Sequence, residues 1–292
     1  MLKGKDQTPR ILPLYPLLYE DLVRRALVED IGRAGDLTTD AIVSTEDRAT
    51  AVMVARAPGR IAGMDVAGFA FRCLDPQLSL ETKLQDGRDA EPGDTLAVIS
   101  GAARPILTAE RTALNFLARI SGVATATRNL VKLVSKYHAH IVCTRKTTPG
   151  LRALEKYAVR TGGGANHRFG LDDAVLIKDN HIAVAGGVGE AIRRVRSRIG
   201  HLVKVEVEVD TLEQLETALM ENPDAVLLDN MSPETLLEAV RITNRKAITE
   251  ASGGVTPGTA EAIAATGVDL ISVGWITHSA AALDISLDVA TE

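Results

Sequence analysis

The chain has 292 residues, of which 46% are hydrophobic and 24% charged, and its formal net charge is -5. This composition is typical of a globular protein long enough for one large barrel, or for a medium domain with a smaller one. The negative charge and an aromatic content of only 3% argue against nucleic acid and anionic membranes as partners. The two cysteines, Cys73 and Cys143, lack the spacing of a disulfide framework or a zinc site.

The N-terminal segment 1–10 is polar and lacks the apolar core of a signal peptide. No apolar run in the sequence approaches the roughly 18 residues that a membrane helix needs. We therefore expect a cytoplasmic protein without a membrane partner. A small anionic ligand is compatible with the net charge, because a local basic cluster can lie on an acidic protein.

The first third of the chain predicts a mixed region whose strands are mostly antiparallel. Apolar residues follow a helical spacing over 16–32, with charges between them. Apolar runs separated by Pro-Gly and Asp-Gly turns predict a short helix at 64–74 and strands at 49–55, 59–63, 78–84 and 95–99. A long helix is predicted over 109–137, in which Ser121-Gly122 indicates either a break or a tight helix contact.

From His140 onward, apolar runs alternate with helical patterns. Strands are predicted to begin near 141, 174, 202, 225, 247 and 269, with helices at 151–161, 188–199, 212–221, 233–243 and 256–266. Repeated βα units of this kind predict a parallel sheet or barrel. They number about six, fewer than the eight of a complete (β/α)₈ barrel.

Ionisable residues stand where four of these apolar runs end. They are Arg145 with Lys146, then Lys178, Glu208 and Asp229. In parallel α/β folds the ligand site lies at the carboxyl ends of the strands. A single residue of this kind is most often an ordinary loop residue, but four successive cases predict a site with charges of both signs. Because side-chain directions alternate along a strand, Arg145 and Lys146 should point to different places.

The segment 203–209 alternates valine with charged residues, so Lys204, Glu206 and Glu208 should share one face. A strand within a βαβ series has both faces covered. We therefore expect this face to lie inside the barrel, with its charges paired or functional. Glu208 is nearest the end of the strand and is the residue most suited to reach a ligand.

Three glycine-containing loops also fit a site at this end of the strands. Ser252-Gly253-Gly254 precedes a helix, and Val273-Gly274 ends the last strand. Their backbone N–H groups can approach a phosphate, and the last two βα loops are the usual phosphate position in a barrel. A third glycine run, 162–164, leads into His167-Arg168 and is expected to lie over the barrel mouth.

Taken together, the motifs resemble those of the nicotinate-nucleotide pyrophosphorylase family, also called quinolinate phosphoribosyltransferases (decarboxylating). The matching segments are 35–39, 109–115, 121–125, 144–150, 162–168, 178–181, 206–208, 228–230, 252–254 and 274–279. They follow one another in order and span the chain from about 109 to 279, with 35–39 as a further match near the N-terminus.

The resemblance implies an α/β fold with an N-terminal α/β sandwich domain and a C-terminal, incomplete parallel α/β barrel of six to seven strands. We expect the first domain to span 1–120, with the tail 280–292 packing on it, and the barrel domain to span 121–279. A homodimer is also implied, in which each active site receives Arg111 of the partner subunit.

The implied reaction joins quinolinate to 5-phosphoribosyl 1-pyrophosphate with Mg²⁺ and gives nicotinate mononucleotide, pyrophosphate and CO₂, a step of NAD synthesis. The residues implied for quinolinate are Arg111, Arg145, His167, Arg168 and Lys178. Those implied for the phosphoribosyl donor are Lys146, Glu208, Asp229, Ser252, Gly253, Gly274 and His278. The candidate catalytic residues are Lys146, Lys178, Glu208 and Asp229, of which Glu208 and Asp229 are the candidate Mg²⁺ ligands, directly or through water or substrate. These residue types suit the chemistry, because arginine forks bind carboxylates and Mg²⁺ takes oxygen ligands.

Three other functions fit parts of the sequence. Lys146 or Lys178 at a strand end could form a Schiff base, as in an aldolase. A related phosphoribosyltransferase could act on another base or acid, although three arginines favour a dicarboxylate. A non-catalytic sensor of a sugar phosphate need not keep both Glu208 and Asp229.

Overall fold

The structure is a computed structural model and describes residues 11–291, so the polar segment 1–10 lies outside it. The described residues fall into two compact units. The first contains the chain up to Ala126, Pro149–Gly163 and the chain from Ser279 on, and the second contains Thr127–Thr148 and Gly164–His278. Among the described residues, no helix has both the length and the apolar character needed to cross a membrane. The domain boundaries expected at 120 and 279 remain a prediction.

Helices and strands alternate along most of the chain. The helices are α1 (Glu20–Ile31), α2 (Leu37–Ile42), α3 (Met64–Leu74), α4 (Ala103–Val134), α5 (Arg152–Thr161), α6 (Asp179–Ala185), α7 (Val188–Arg196), α8 (Leu212–Met220), α9 (Pro233–Thr243), α10 (Ala260–Ala265) and α11 (Trp275–His278), with a 3₁₀ turn at Pro16–Leu18. The strands are β1 (Arg48–Ala55), β2 (Gly59–Arg60), β3 (Ser79–Thr82), β4 (Asp89–Ala90), β5 (Thr95–Ala102), β6 (His140–Val142), β7 (Val175–Ile177), β8 (Val205–Val209), β9 (Ala225–Asp229), β10 (Ile248–Ser252), β11 (Leu270–Ser272) and β12 (Ile285–Thr291).

An antiparallel sheet with the strand order β12-β1-β5-β3 belongs to the first unit. Side chains of β1 alternate between buried and half-buried positions, as in a sheet with one face on a core. Strand β12 comes from the C-terminal end of the chain and places Leu287 opposite Met53 of β1. The antiparallel character predicted for the N-terminal part is confirmed.

Helix α4 continues through Ser121-Gly122 without interruption. Of the two alternatives predicted there, the tight helix contact is therefore correct and the helix break is wrong. A Cβ atom built on Gly122 would lie 2.0 Å from the carbonyl oxygen of Ala281. Any larger residue at position 122 would collide with this backbone atom, which explains why glycine stands in the middle of a long helix.

A parallel sheet of six strands belongs to the second unit, in the order β6-β11-β10-β9-β8-β7. All five residues of β8 are buried, as expected when helices cover one side of a strand and interior side chains the other. At the β6 edge, Ala165 forms a parallel bridge with Val142. The predicted α/β class, with a six-stranded incomplete parallel barrel in the C-terminal part, is confirmed.

Candidate functional site

Strand β8 carries two buried carboxylates, as the alternating sequence predicts. Glu206 and Glu208 are both buried between fully buried valines. Lys204, expected on the same interior face, is instead 78% exposed and forms an ion pair of 2.6 Å with Asp224. The expectation for Lys204 is wrong because the strand begins at Val205, so that Lys204 lies outside the covered part of the sheet.

Lys178 and Glu208 lie side by side on neighbouring strands. Ile177 of β7 pairs with Val207 of β8. The residues that follow them, Lys178 and Glu208, therefore lie opposite each other. Lys178 Nζ donates to Glu208 Oε2 at 2.6 Å; the lysine side chain is 48% exposed and the glutamate 10%. Helix α6 starts directly after Lys178, and the Lys178 backbone N–H donates to Nδ1 of His181 at 2.9 Å. This short helix was not predicted from the sequence.

Asp229 ends β9 in register with Ser252 at the end of β10. The side-chain amide of Asn230 donates to Asp229 Oδ2 at 2.6 Å, and its backbone N–H donates to the Ser252 carbonyl at 2.9 Å. Gly253 has a φ of +91°, and a Cβ there would lie 2.0 Å from Asn230 Oδ1. Glycine is therefore required, and the loop after β10 lies directly beside the carboxylate of Asp229.

Lys146 and Gly274 come together at the ends of the neighbouring strands β6 and β11. A Cβ on Gly274 would lie 3.0 Å from Lys146 Cδ, and Thr277 Oγ1 donates to the Lys146 carbonyl at 2.7 Å. The indole N–H of Trp275 donates to the Val255 carbonyl at 2.9 Å, which joins the two glycine loops. His278 ends α11 and is exposed.

Arg145 and Arg168 form a like-charged pair. Burial and then the charge of Arg145 lower the pKa of Arg168, so the two guanidinium groups lie close enough to repel each other. Arg168 Nη1 donates to the Ala174 carbonyl at 3.0 Å, while the buried Nε atoms of both arginines have no hydrogen-bond partner among the described residues. Since Lys146 packs on Gly274, the prediction that it and Arg145 point to different places is confirmed. Neither arginine forms an ion pair with a carboxylate of the described residues, although Asp173 and Glu206 are near enough to raise the pKa of Arg168. Two adjacent cations of this kind form a site for an anion.

Arg111, expected from the resemblance to act across a subunit interface, belongs to the first unit. It lies on α4, where its side chain is 65% exposed and 4.0 Å from Glu110.

His167, Glu206 and Glu250 form a buried cluster that the sequence analysis did not identify as a unit. His167 Nε2 lies 2.8 Å from Glu206 Oε2 and 3.7 Å from Glu250 Oε1. Burial and then the charge of Glu206 raise the pKa of Glu250 to about 7. A cavity of about 240 Å³ is lined by all three side chains and by Arg168. A charged residue in the middle of the predicted strand near 247 was the available signal for Glu250.

The same three residues could be considered as metal ligands, since their ligand atoms lie within 4.8 Å of one another. The hydrogen bonds argue against this use. The Arg168 backbone N–H donates to His167 Nδ1 at 2.8 Å, so Nδ1 is unprotonated and the ring proton is on Nε2. A protonated Nε2 donates to Glu206, so this nitrogen would have to release its proton before it could bind a metal ion.

Sequence comparison assigns the chain to a family. The family model described as "Quinolinate phosphoribosyl transferase, C-terminal domain" matches residues 123–288, and that of the N-terminal domain matches residues 36–121. The chain belongs to this family. Its predicted membership is thus confirmed.

Relatives in the quinolinate phosphoribosyl transferase family are similar over nearly their whole length. The nicotinate-nucleotide pyrophosphorylase (carboxylating) of Mycobacterium leprae is 46% identical over 277 residues, covering 92% of this chain and 96% of the relative. The mitochondrial quinolinate phosphoribosyltransferase (decarboxylating) 2b of Nicotiana tabacum is 40% identical, covering 100% of this chain and 87% of the relative. The solved nicotinate-nucleotide pyrophosphorylase of Francisella tularensis superposes with a TM-score of 0.92 at 41% identity, covering 97% of this chain and 100% of that one. These names agree with the predicted enzyme class, a pentosyltransferase.

Proposed function

We propose that the chain joins quinolinate to 5-phosphoribosyl 1-pyrophosphate and releases pyrophosphate and CO₂ to give nicotinate mononucleotide. Family membership supports the reaction. The observation that carries the substrate assignment is the pair Arg145 and Arg168, whose Nε atoms are buried without a hydrogen-bond partner among the described residues. Adjacent carboxylates on a planar ring match two guanidinium forks better than they match lysines.

Quinolinate is assigned to Arg145, Arg168 and Lys178, with Arg111 of the partner subunit completing the site. His167 supports the same site in another way. Its Nδ1 accepts the N–H of Arg168 and its Nε2 donates to Glu206, so both ring nitrogens have partners within the protein. We therefore assign His167 to holding Arg168 in place.

The phosphoribosyl donor is assigned to the ends of β6, β9, β10 and β11. Lys146 faces the pyrophosphate, while the backbone of Ser252, Gly253 and Gly274 holds the 5-phosphate, with His278 at the end of α11. The need for glycine at positions 253 and 274 is supported by the close contacts that a Cβ atom would make there. Backbone N–H groups in such loops are suited to phosphate oxygens.

Glu208 and Asp229 are the residues proposed for Mg²⁺. The donor set fits this ion, since both residues offer carboxylate oxygens and Asn230 orients the Asp229 group. One oxygen of each carboxylate already accepts a hydrogen bond, Glu208 Oε2 from Lys178 and Asp229 Oδ2 from Asn230. Both residues are therefore assigned to hold the ion through their other oxygen, directly or through water or substrate. The ion would supply neutralisation of the pyrophosphate charge as this group departs.

In the reaction, the quinolinate nitrogen lone pair forms the bond to C1 of the ribose, and the C1–O bond breaks with its electron pair leaving on pyrophosphate. The C2–carboxylate bond then breaks, CO₂ departs, and the electron pair on C2 takes up a proton. No enzyme nucleophile is required, so the residues act by positioning and electrostatics. Lys178, held by Glu208, is assigned to orient the ring.

A shared active site makes a specific prediction for the proposed homodimer. In a mixture of Arg111→Ala and Arg145→Ala chains, each hybrid dimer keeps one site with both arginines. At a quinolinate concentration near the wild-type KM, where each variant alone has little activity, the mixture should recover about a quarter of the wild-type sites after random exchange of subunits. An inactive mixture whose subunit exchange has been verified by native mass spectrometry would contradict the shared active site.

The cytoplasmic location stays a prediction.

The function is tested by mixing the protein with quinolinate, Mg²⁺ and 5-phosphoribosyl 1-pyrophosphate. Formation of nicotinate mononucleotide with CO₂ supports it, whereas turnover of nicotinate alone would move the chain to a different phosphoribosyltransferase activity. Borohydride trapping of a carbonyl donor would instead support the Schiff-base alternative. Tight binding of the sugar phosphate without turnover of either acid would support a sensor.

A further inference from the structure

The loop after β10 contains two successive glycines in the left-handed region, Gly253 with a φ of +91° and Gly254 with a φ of +61°. Because glycine has so many accessible conformations, fixing such a loop in one shape loses much conformational entropy. A Cβ atom on Gly254 would meet no atom within 4 Å. Side-chain packing therefore does not hold the loop at Gly254, and its shape depends on the contacts on either side.

The start of this loop is held by Asn230. The Asn230 backbone N–H donates to the Ser252 carbonyl at 2.9 Å, and Gly253 lies directly against the Asn230 side chain. Thr259 contributes a contact from within the same β10–α10 connection, since its hydroxyl lies 3.3 Å from the Gly254 carbonyl. These contacts fix the first part of the loop relative to the end of β9.

The end of the loop is held from the opposite side, by Trp275. Its indole N–H donates to the Val255 carbonyl at 2.9 Å. Trp275 is the first residue of α11 and follows Gly274 directly. This short helix is anchored in turn, because Thr277 is buried and its Oγ1 donates to the Lys146 carbonyl at 2.7 Å. Trp275 therefore sets the distance between the end of the loop and Gly274.

We propose that Trp275 is a positioning residue for the phosphoribosyl donor, which holds the loop 252–255 beside Gly274 so that their backbone N–H groups form one phosphate site before the donor binds. The proposal rests on the proposed function, since that function assigns both loops to the 5-phosphate. Trp275 acts through the Val255 carbonyl and needs no contact with substrate. Without its N–H, the donor has to order the loop on binding, and the free energy of this ordering is subtracted from the affinity.

The kinetic test replaces the indole in Trp275→Phe, which keeps an aromatic ring and removes the N–H donor. The KM of the phosphoribosyl donor at saturating quinolinate and Mg²⁺ should rise about fivefold, the factor that corresponds to one neutral hydrogen bond. The kcat at saturating donor and the Kd of quinolinate should both stay within twofold. A residue that only stabilised the fold would not separate these quantities in a folded protein.

Trp275 is the single tryptophan of the chain, so an analogue supplied in place of tryptophan changes this position alone. Benzothienylalanine carries sulfur in place of the indole N–H and has nearly the same shape, so it should reproduce the loss expected for Trp275→Phe. 5-Fluorotryptophan keeps the N–H and should leave the donor KM within twofold of the wild type. This pair of analogues tests the hydrogen bond even when Trp275→Phe does not fold.

Ser272→Ala is the matched control, because the Ser272 hydroxyl donates to the Ala251 carbonyl at 3.3 Å and so joins the same two strands without reaching the loop. It should keep the wild-type KM for the donor. A folded Trp275→Phe or benzothienylalanine protein with a donor KM within twofold of the wild type overturns the proposal, as does an equal loss of quinolinate affinity. A wild type that forms no nicotinate mononucleotide overturns the proposed function instead, and the donor Kd from calorimetry then decides the role of Trp275.

Discussion

Replacement of Arg145 by alanine isolates a binding contact from the stability of the fold. The side chain forms no hydrogen bond or ion pair with any described residue, and its charge acts on Arg168 by repulsion. Its removal should therefore leave the melting temperature unchanged or slightly raised. What is lost is the contact between a guanidinium fork and a quinolinate carboxylate.

The size of this loss follows from the strength of charge-assisted hydrogen bonds, about 1.5–3 kcal/mol each. Loss of one fork should weaken quinolinate binding by about 3 kcal/mol, which is roughly a hundredfold in Kd. Arg145→Lys keeps the charge but loses the fork, so a smaller loss, about tenfold, is expected.

Isothermal titration calorimetry with quinolinate measures this loss, and Arg241→Ala is the control. Arg241 lies in the same unit, its side chain is 69% exposed, and it pairs with Glu238 on the surface of α9. A folded Arg145→Ala protein that binds quinolinate with wild-type affinity would refute the assignment. An equal loss of affinity for the phosphoribosyl donor would also refute it, because the contact would then not be specific to the acid.

Three further predictions concern other parts of the structure. Gly122→Ala should lower the free energy of unfolding in urea by about 2 kcal/mol, because its Cβ would lie 2.0 Å from a backbone oxygen, while Gly200→Ala, with no atom within 4 Å, should be neutral. Trp275 is the single tryptophan, so its fluorescence should respond to the phosphoribosyl donor with Mg²⁺ but not to quinolinate alone, and Gly253→Ala should abolish that response. Glu250 has a pKa raised from 4.5 to about 7, so the stability from its neutral form is complete below pH 4.5 and is lost as the pH rises through 7. Relative to Glu250→Gln, the wild type should lose about 3 kcal/mol across this window, measured by urea denaturation at each pH.

The parts of the site that the sequence could predict are those that depend on local patterns. The alternation of valine and charged residues around β8 predicted that Glu206 and Glu208 are buried. The ends of the apolar runs predicted that Lys178 and Asp229 lie at strand ends. Both predictions need only the period of a strand and the direction of a parallel sheet.

The parts that could not be predicted depend on which strands are neighbours. Glu250 lies two strands away from Glu206 in the sheet order, and nothing in a single sequence shows that they meet across the interior. Lys204 was wrongly predicted to lie in the interior. Periodicity shows which residues share one face of a strand, but it does not show where the covered part of that strand begins. Helix α5 follows the β6 segment in sequence, yet it belongs to the first unit. The sequence could not predict this, because a helical pattern does not show which unit the helix packs on.

The most direct test of the account uses quinolinate labelled with ¹³C in its 2-carboxylate. The account predicts one labelled CO₂ for each nicotinate mononucleotide formed, and only when Mg²⁺ and 5-phosphoribosyl 1-pyrophosphate are both present. Release of labelled CO₂ without the phosphoribosyl donor, or a nucleotide product that retains the label, would contradict it.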